Sequence, residues 1–412
     1  MSGTGAQGLT LHEADVLLPM GGERPKPRGA LLLDDTGTIV AVGTSSELQR
    51  RADRRVQHHV LMPGLINAHT HLVDAGCKAP VKGGEGLLPW VRTLLAEREH
   101  RAETTDPKSI EHEIDDTLAS MSRTGTVAVG EVTNDLFTLP AVRRSGMRAR
   151  VIHEALGWSI SHREHIRDSI RSARETESWD DTIAHGYGAH APYSVSPELL
   201  TDLLEDARAN ASPLYIHLAE DPAERELYVF GGGAWSEYLH EIGVWDREWY
   251  GSGVSPIEMY DSHGLLNHSL VCVHLADATR NELALLARRG ARAILSPSSN
   301  LHITGLLPDV STMVQTGLTF AFGTDGRASN ASIDVVDEAR VIADRFPWLP
   351  PGILLEGLTW RGAEILGMAS LGRLRPGCAP GLVSVELSEC DTDMRQLERR
   401  ILFESRARRR VA

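Results

Sequence analysis

The sequence predicts an α/β chain built on a (β/α)8 barrel, with a small β-sandwich domain assembled from both chain ends. Three observations carry that expectation. From Val60 onward, short apolar runs alternate with amphipathic stretches, and there are eight such units. The runs are largely apolar rather than apolar at every second residue, which suits parallel strands buried on both faces. Side chains able to bind a metal fall where three of the runs pass into Gly-, Ser- and Asn-rich loop, and C-terminal strand ends are where a barrel of this kind carries its chemistry.

Taken in order, the first sixty or so residues read as a β-meander. Leu9–Pro19, Gly29–Asp35 and Thr38–Val42 are β-prone and are separated by Gly-, Pro- and Asp-rich turns. The barrel strands follow as Val60–Ala68, Thr126–Val132, Ala149–Leu156, Ile183–His190, Pro213–Leu218, Leu270–His274, Ala291–Ser296 and Leu318–Gly323. Between them, Leu87–Glu99, Ile110–Arg123, Ser161–Glu175, Pro197–Ala209 and Asn281–Arg289 have helical periodicity. Two further helices, Ile333–Asp344 and Pro351–Leu366, follow the last strand. Gly372–Glu386 returns to short strands and is expected to pair with the meander. This places the small domain in residues 1–59 and 372–412 and the barrel in 60–371. An open, doubly wound sheet is the alternative topology.

The segment Gly231–Pro256 gathers Trp235, Tyr238, Trp245, Trp249 and Tyr250 in a chain that is only 5% aromatic. Such a cluster is either a lid or wall over a substrate, or a set of rings packed onto a neighbouring barrel helix.

A chain of 412 residues can bury a large core. Its formal net charge of -14 argues against a nucleic-acid or anionic-membrane surface, so the expected partner is a small-molecule substrate. The basic tail Arg406–Arg410 is short and reads as a solvated end. Cys77, Cys272, Cys378 and Cys390 are widely spaced with no Cys-x-x-Cys, which excludes a zinc ribbon and a Pro-Cys-x-x-Cys site. Reduced thiols, the lack of a signal-peptide pattern and the lack of a spanning apolar stretch make the cytoplasm the expected compartment.

The chemistry concentrates in a few positions. His69 and His71 stand two apart at the end of an apolar run, so on a strand both imidazoles point the same way. With 18 histidines in the chain such a pair arises easily by chance. It gains weight because His217, in Ile-His217-Leu-Ala-Glu220, and Asp325, in Phe-Gly-Thr-Asp325-Gly, also end apolar runs. Three imidazoles and one carboxylate suit one Zn(II) per subunit, with Fe(II) or Mn(II) as alternatives. Such an ion would supply hydroxide near neutral pH, and Asp325 could accept the water's proton. Glu220, three residues after His217, could move that proton onward, although a carboxylate at a helix start has a simpler explanation in the dipole. His190 follows the fourth run and is either a substrate contact or a structural histidine. Asn300 is either a substrate donor or a turn-former.

Together these segments resemble the amidohydrolase superfamily, and within it the mononuclear metal-dependent deaminases. The matching stretches, in order, are Pro-Gly-Leu-Ile-Asn-Ala-His69-Thr-His71, His190-Ala-Pro-Tyr, His217-Leu-Ala-Glu220, Ser-Asn300-Leu and Gly-Thr-Asp325-Gly-x-x-Ser-Asn330. Gly-Gly-Glu85-Gly-Leu-Leu-Pro-Trp90-Val-Arg92, Thr126 to Asn134 and Ser299 to Pro308 are most similar to aminodeoxyfutalosine deaminases of an alternative menaquinone pathway. Methylthioadenosine/S-adenosylhomocysteine deaminases are close behind. The resemblance implies hydrolytic removal of an amino group from an adenine nucleoside or related heterocycle, with Glu220 and Asp325 catalytic. It also implies Trp90, His190, Asn300 and His274 around the substrate, and a homodimer.

Two departures from the family pattern stand out. Alignment on Val-His-Leu puts Val271 where the deaminases carry a strand-six histidine. His274, three residues on, faces the opposite way on a regular strand, unless the strand end bends. Loss of that imidazole would cost on the order of a hundredfold in rate. Leu72-Val73 replaces the usual Leu-Glu after the metal pair. Hydrolysis of a different C–N bond, or ligand binding without catalysis, are the competing functions these departures leave open.

Overall fold

The computed structural model describes residues 8–245, 249–387, 393–404 and 408–411. Cys390, part of the basic tail and residues 246–248 of the aromatic segment lie outside the described residues. The chain divides into two compact units, one of residues 1–67, 120–128 and 334–412, the other of 68–119 and 129–333.

In the first unit, the chain ends build one seven-stranded mixed sheet. Leu382–Val385 pairs antiparallel with Arg54–Pro63, which runs parallel to Thr10–Leu17. Side chains alternate across this sheet, so its two faces carry separate apolar clusters. Leu17, Leu31, Leu33, Leu61 and Leu382 form one, and Leu11, Ala30, Leu32 and Leu48 the other. The single helix expected over Pro351–Leu366 is two helices, Pro351–Gly357 and Trp360–Ile365. The break comes at Thr359, whose backbone leaves the helical region while its hydroxyl bonds back to Leu355 O at 2.7 Å.

The barrel strands are β1 (Leu65–Thr70), β2 (Thr126–Thr133), β3 (Arg148–Ala155), β4 (Ile183–Ala189), β5 (Leu214–Leu218), β6 (Leu270–His274), β7 (Arg292–Leu295) and β8 (Phe320–Phe322). Each is the neighbour of the next in sequence, giving an eight-stranded, nearly closed parallel barrel with helices between the strands. Every residue of β1, β2, β5 and β6 is buried, as parallel strands covered on both faces require. Several helices start on side-chain caps that satisfy free N–H groups. Ser196 accepts from Leu199 N, and Thr279 with Glu282 forms a capping box.

The last strand returns to the first at the site itself. Asp325 N donates to His69 O at 3.0 Å. Gly323 makes this approach possible, since a Cβ there would lie 2.5 Å from His69 Cβ. Among the described residues no helix is long and apolar enough to cross a membrane.

Candidate metal centre and substrate cavity

Each functional side chain is delivered by a strand end, and the backbone there is unusual. Ala219 after β5, His274 and Leu275 at the end of β6, and Asp325 after β8 all have positive φ, at 52°, 76°, 55° and 58°. Non-glycine residues pay a strain cost in this region, and four such residues at three strand ends mark where the chain is bent to serve the site.

His69, His71, His217 and Asp325 converge. Asp325 Oδ1 lies 3.5 Å from both His69 Nε2 and His71 Nε2. His217 Nε2 lies 3.3 Å from His69 Nε2. The rest of each ligand is committed in a way that frees these atoms. His217 Nδ1 donates to the His190 carbonyl at 2.7 Å, which leaves Nε2 as a lone pair. Asp325 Oδ2 accepts from Ser299 Oγ at 2.6 Å and Ser329 Oγ at 3.1 Å, which leaves Oδ1 open. Three imidazole nitrogens and a carboxylate oxygen brought this close fit a divalent ion with N/O preference. A second cluster, Glu154, His190 and His217, does not offer a second ion site, because the His217 Nδ1 it would use is already a donor.

At strand six the structure takes the bend that the sequence left open. Val271 is buried in the middle of β6, paired with Tyr215 and Arg292. His274 ends the strand, and its positive φ breaks the alternation that would have turned it away. Its ring stacks against His217 at 5.4 Å and stands edge-on to His69 at 6.0 Å. β6 therefore brings the His274 imidazole beside the ligand cluster. Asn300, fully buried on the helix Pro297–Ile303, offers its amide nitrogen to His274 Nδ1 at 3.2 Å. That contact puts the ring proton on Nε2, 3.6 Å from Glu220 Oε1, so His274 is a donor into the site.

Burial sets the protonation states here. It pushes the Glu220 carboxyl well above its ordinary range, helped by the negative charges of Asp325, Glu224 and Asp221. It drives His274 well below its usual value and His217 down to about 4. At Asp325, burial alone would favour the acid, but the hydrogen bond from His69 and the nearby His71 hold it well below the carboxylate range.

Glu154, at the end of β3, was not singled out by the sequence. Burial opposes its charge, yet His190, His217 and His71 hold its carboxyl at about 2. Its Oε1 lies 3.4 Å from His217 Nδ1, and Oε2 accepts from Asn134 at 3.0 Å. Glu131 was quoted only as part of a motif. It is fully buried on β2 and accepts from Leu72 N through both oxygens, at 3.2 and 3.1 Å, fixing the segment that carries His71.

These groups open into a cavity of about 610 Å³, within the usual size of small-molecule sites. Trp90, on the helix Leu87–Thr104, and His190 both line it. His190 Nδ1 is tied to Ser194 Oγ at 2.5 Å. The aromatic segment divides between the two roles considered for it. Trp235 and Tyr238 line the cavity, with Trp235 stacked on Tyr193 at 3.7 Å. Trp245 and Trp249 instead pack on Trp158, and Tyr250 is exposed.

The family model described as "Amidohydrolase family" matches residues 60–408. The chain belongs to the amidohydrolase family. A 5-methylthioadenosine/S-adenosylhomocysteine deaminase of Syntrophobacter fumaroxidans is 30% identical over 90% of this chain and 85% of its own. An aminodeoxyfutalosine deaminase of Deinococcus radiodurans is 25% identical over 87% of this chain and 85% of its own. In fold, this amidohydrolase is similar to the aminofutalosine deaminase of Helicobacter pylori solved with methylthio-coformycin, with a TM-score of 0.84 at 22% identity. That match covers 98% of this chain and 100% of the other.

Proposed function

We propose that this amidohydrolase is a zinc-dependent deaminase of 5′-substituted adenine nucleosides, replacing the ring amino group with oxygen from water and releasing ammonia. The observation that carries the reading is the open set of three imidazole nitrogens and one carboxylate oxygen with the buried Glu220 carboxyl near it, beside His274. His69, His71, His217 and Asp325 would hold a divalent ion, which when bound would supply a water of lowered pKa as the nucleophile.

The remaining chemistry belongs to the chain. Glu220 sits where it can give a proton to the ring nitrogen, regain one from the attacking water and pass it to the departing amine. Asp325, with one oxygen fixed by two hydroxyls, accepts a proton on the side facing the nucleophile. His274, oriented by Asn300, donates to the oxygen that becomes the ring carbonyl. The relatives' substrates share an adenine nucleoside core, which supports the same core here. Its compartment is proposed to be the cytoplasm, where the free thiols of Cys77, Cys272 and Cys378 would stay reduced. We also propose a homodimer.

The test is ultraviolet absorbance of the zinc-loaded protein with a panel of 5′-substituted adenosines. Conversion to the hypoxanthine form moves the band to shorter wavelength, with one ammonia released per turnover. Glu220→Gln should keep its zinc and lose about 10²- to 10⁴-fold in kcat. Full turnover by that variant with zinc bound would remove Glu220 from the proton path.

A further inference from the structure

We propose that the cavity selects nucleosides whose 5′ substituent is uncharged and apolar. The inference rests on the deaminase reading and names what that reading leaves open.

A purine with its amino-bearing carbon at the metal end would direct its sugar, on the opposite edge, away from the metal and toward solvent. Walls of the cavity come from three elements: the helix Leu87–Thr104, the segment that follows β3, and the helix Ala234–Glu241 with the residues after it. Each contributes a large aliphatic side chain that is about half exposed to water, namely Leu95 at 46%, Leu156 at 48% and Ile242 at 49%. All three line this one cavity. Scattered single apolar residues are ordinary on a surface, but three converging on one opening mark a binding surface. Trp235, stacked on Tyr193, continues the apolar lining inward.

The cations nearby are already matched. Arg98 lines the cavity and is gripped by Asp74 through two hydrogen bonds of 2.8 and 2.9 Å. Arg92 is held by Glu241 and lies over the Tyr238 ring, bracing the two helices together. Ser159, His162 and His165 line the cavity and can bond hydroxyl or ether oxygens without any requirement for charge. A substituent carboxylate placed against Leu95, Leu156 and Ile242 would lose water without gaining a free cation. An alkyl or aryl group there would cover the three side chains.

The experiment compares kcat/KM for 5′-benzylthio-, 5′-methylthio- and 5′-carboxymethylthio-adenosine derivatives lacking the 5′ hydroxyl. The two neutral compounds should exceed the carboxylate at least tenfold, mainly through KM. Ile242→Lys should narrow or reverse that gap by placing a cation at the mouth. Equal or better use of the carboxylate by the unaltered protein overturns the proposal. Equilibrium binding, followed by quenching of tryptophan fluorescence in zinc-loaded Glu220→Gln, reads the same order of affinity without turnover. No deamination of any compound by zinc-loaded protein would defeat the deaminase reading, while the binding order would still decide the selectivity.

Discussion

Four histidines meet at the strand ends of the barrel, and two more meet inside the terminal sheet. Both groups are buried, apart from the partly exposed His71. In the sheet, His12 Nδ1 and His58 Nε2 lie 3.0 Å apart with stacked rings, and His58 Nδ1 bonds to Ser384 Oγ at 2.9 Å. That chain closes on itself: each contact pairs a donor with an acceptor once the tautomers are chosen, and a hydroxyl ends it. The barrel group is built differently. His217 has spent its one neutral proton on the His190 carbonyl, so its Nε2 lone pair faces His69, whose own Nε2 also faces the negative Asp325. Proximity of imidazoles is therefore common to both. What separates the candidate metal site from the structural pair is the carboxylate among the rings, 3.5 Å from two of them.

The sharpest way to break this comparison is to remove the carboxylate. Asp325→Ala should lower zinc content toward zero and turnover by at least about a thousandfold, because hydroxide near neutral pH depends on the ion. His58→Leu should leave zinc content unchanged. Metal analysis of the two purified variants checks both outcomes. Equal zinc loss in the two would erase the distinction.

A finer cut concerns Glu154, whose charge stands behind His217. A carboxylate near the outer nitrogen of a ligand imidazole strengthens that ligand and fixes its ring. Glu154→Gln keeps the shape and the Asn134 contact while removing the charge. It should weaken zinc binding about 10- to 100-fold in competition with a chelator. An unchanged zinc affinity would leave Glu154 with only a packing role.

Some of this was readable from the sequence and some was not. Seven barrel strands are legible because parallel strands buried on both faces are mostly apolar, whereas the run Val60–Ala68 spans the end of the terminal-sheet strand Arg54–Pro63 and the start of β1. The direction of His274 stays open in the sequence because the alternation rule holds only while the backbone is extended, and φ reaches 76° at that residue. Glu154 was passed over for a related reason. One acid within an apolar run carries no pattern, and its meaning comes from Asn134, His190 and His217, which arrive from other strands and loops. Trp235 and Trp249 lie in the same aromatic segment, yet one lines the cavity and the other packs outside it, a division that no local pattern could make. The helix break at Thr359 is similarly silent, since Pro351–Leu366 keeps its apolar period across it.

The smallest effect should come from the terminal-sheet pair, through acid. Burial is the main cause holding His58 at about 4, with His12 and Arg409 adding to it. In the unfolded chain the same ring titrates near 6.5. Between those values the unfolded state binds a proton that the folded state refuses, so stability should fall as pH drops from about 6.5 to 4. Below about 4 both states are protonated and this contribution stops changing. The loss is on the order of 2 kcal/mol, a few degrees in Tm for a chain of this size. The double variant His12→Leu/His58→Leu should melt lower at every pH, since Ser384 loses its partner. Its Tm should nevertheless decline less steeply across the window than that of the unaltered protein. Thermal melts at half-unit steps from pH 7 to 4, with zinc saturating throughout, separate the two slopes. Parallel slopes would mean that the pair does not titrate on folding, and the acid sensitivity would then belong to the metal ligands.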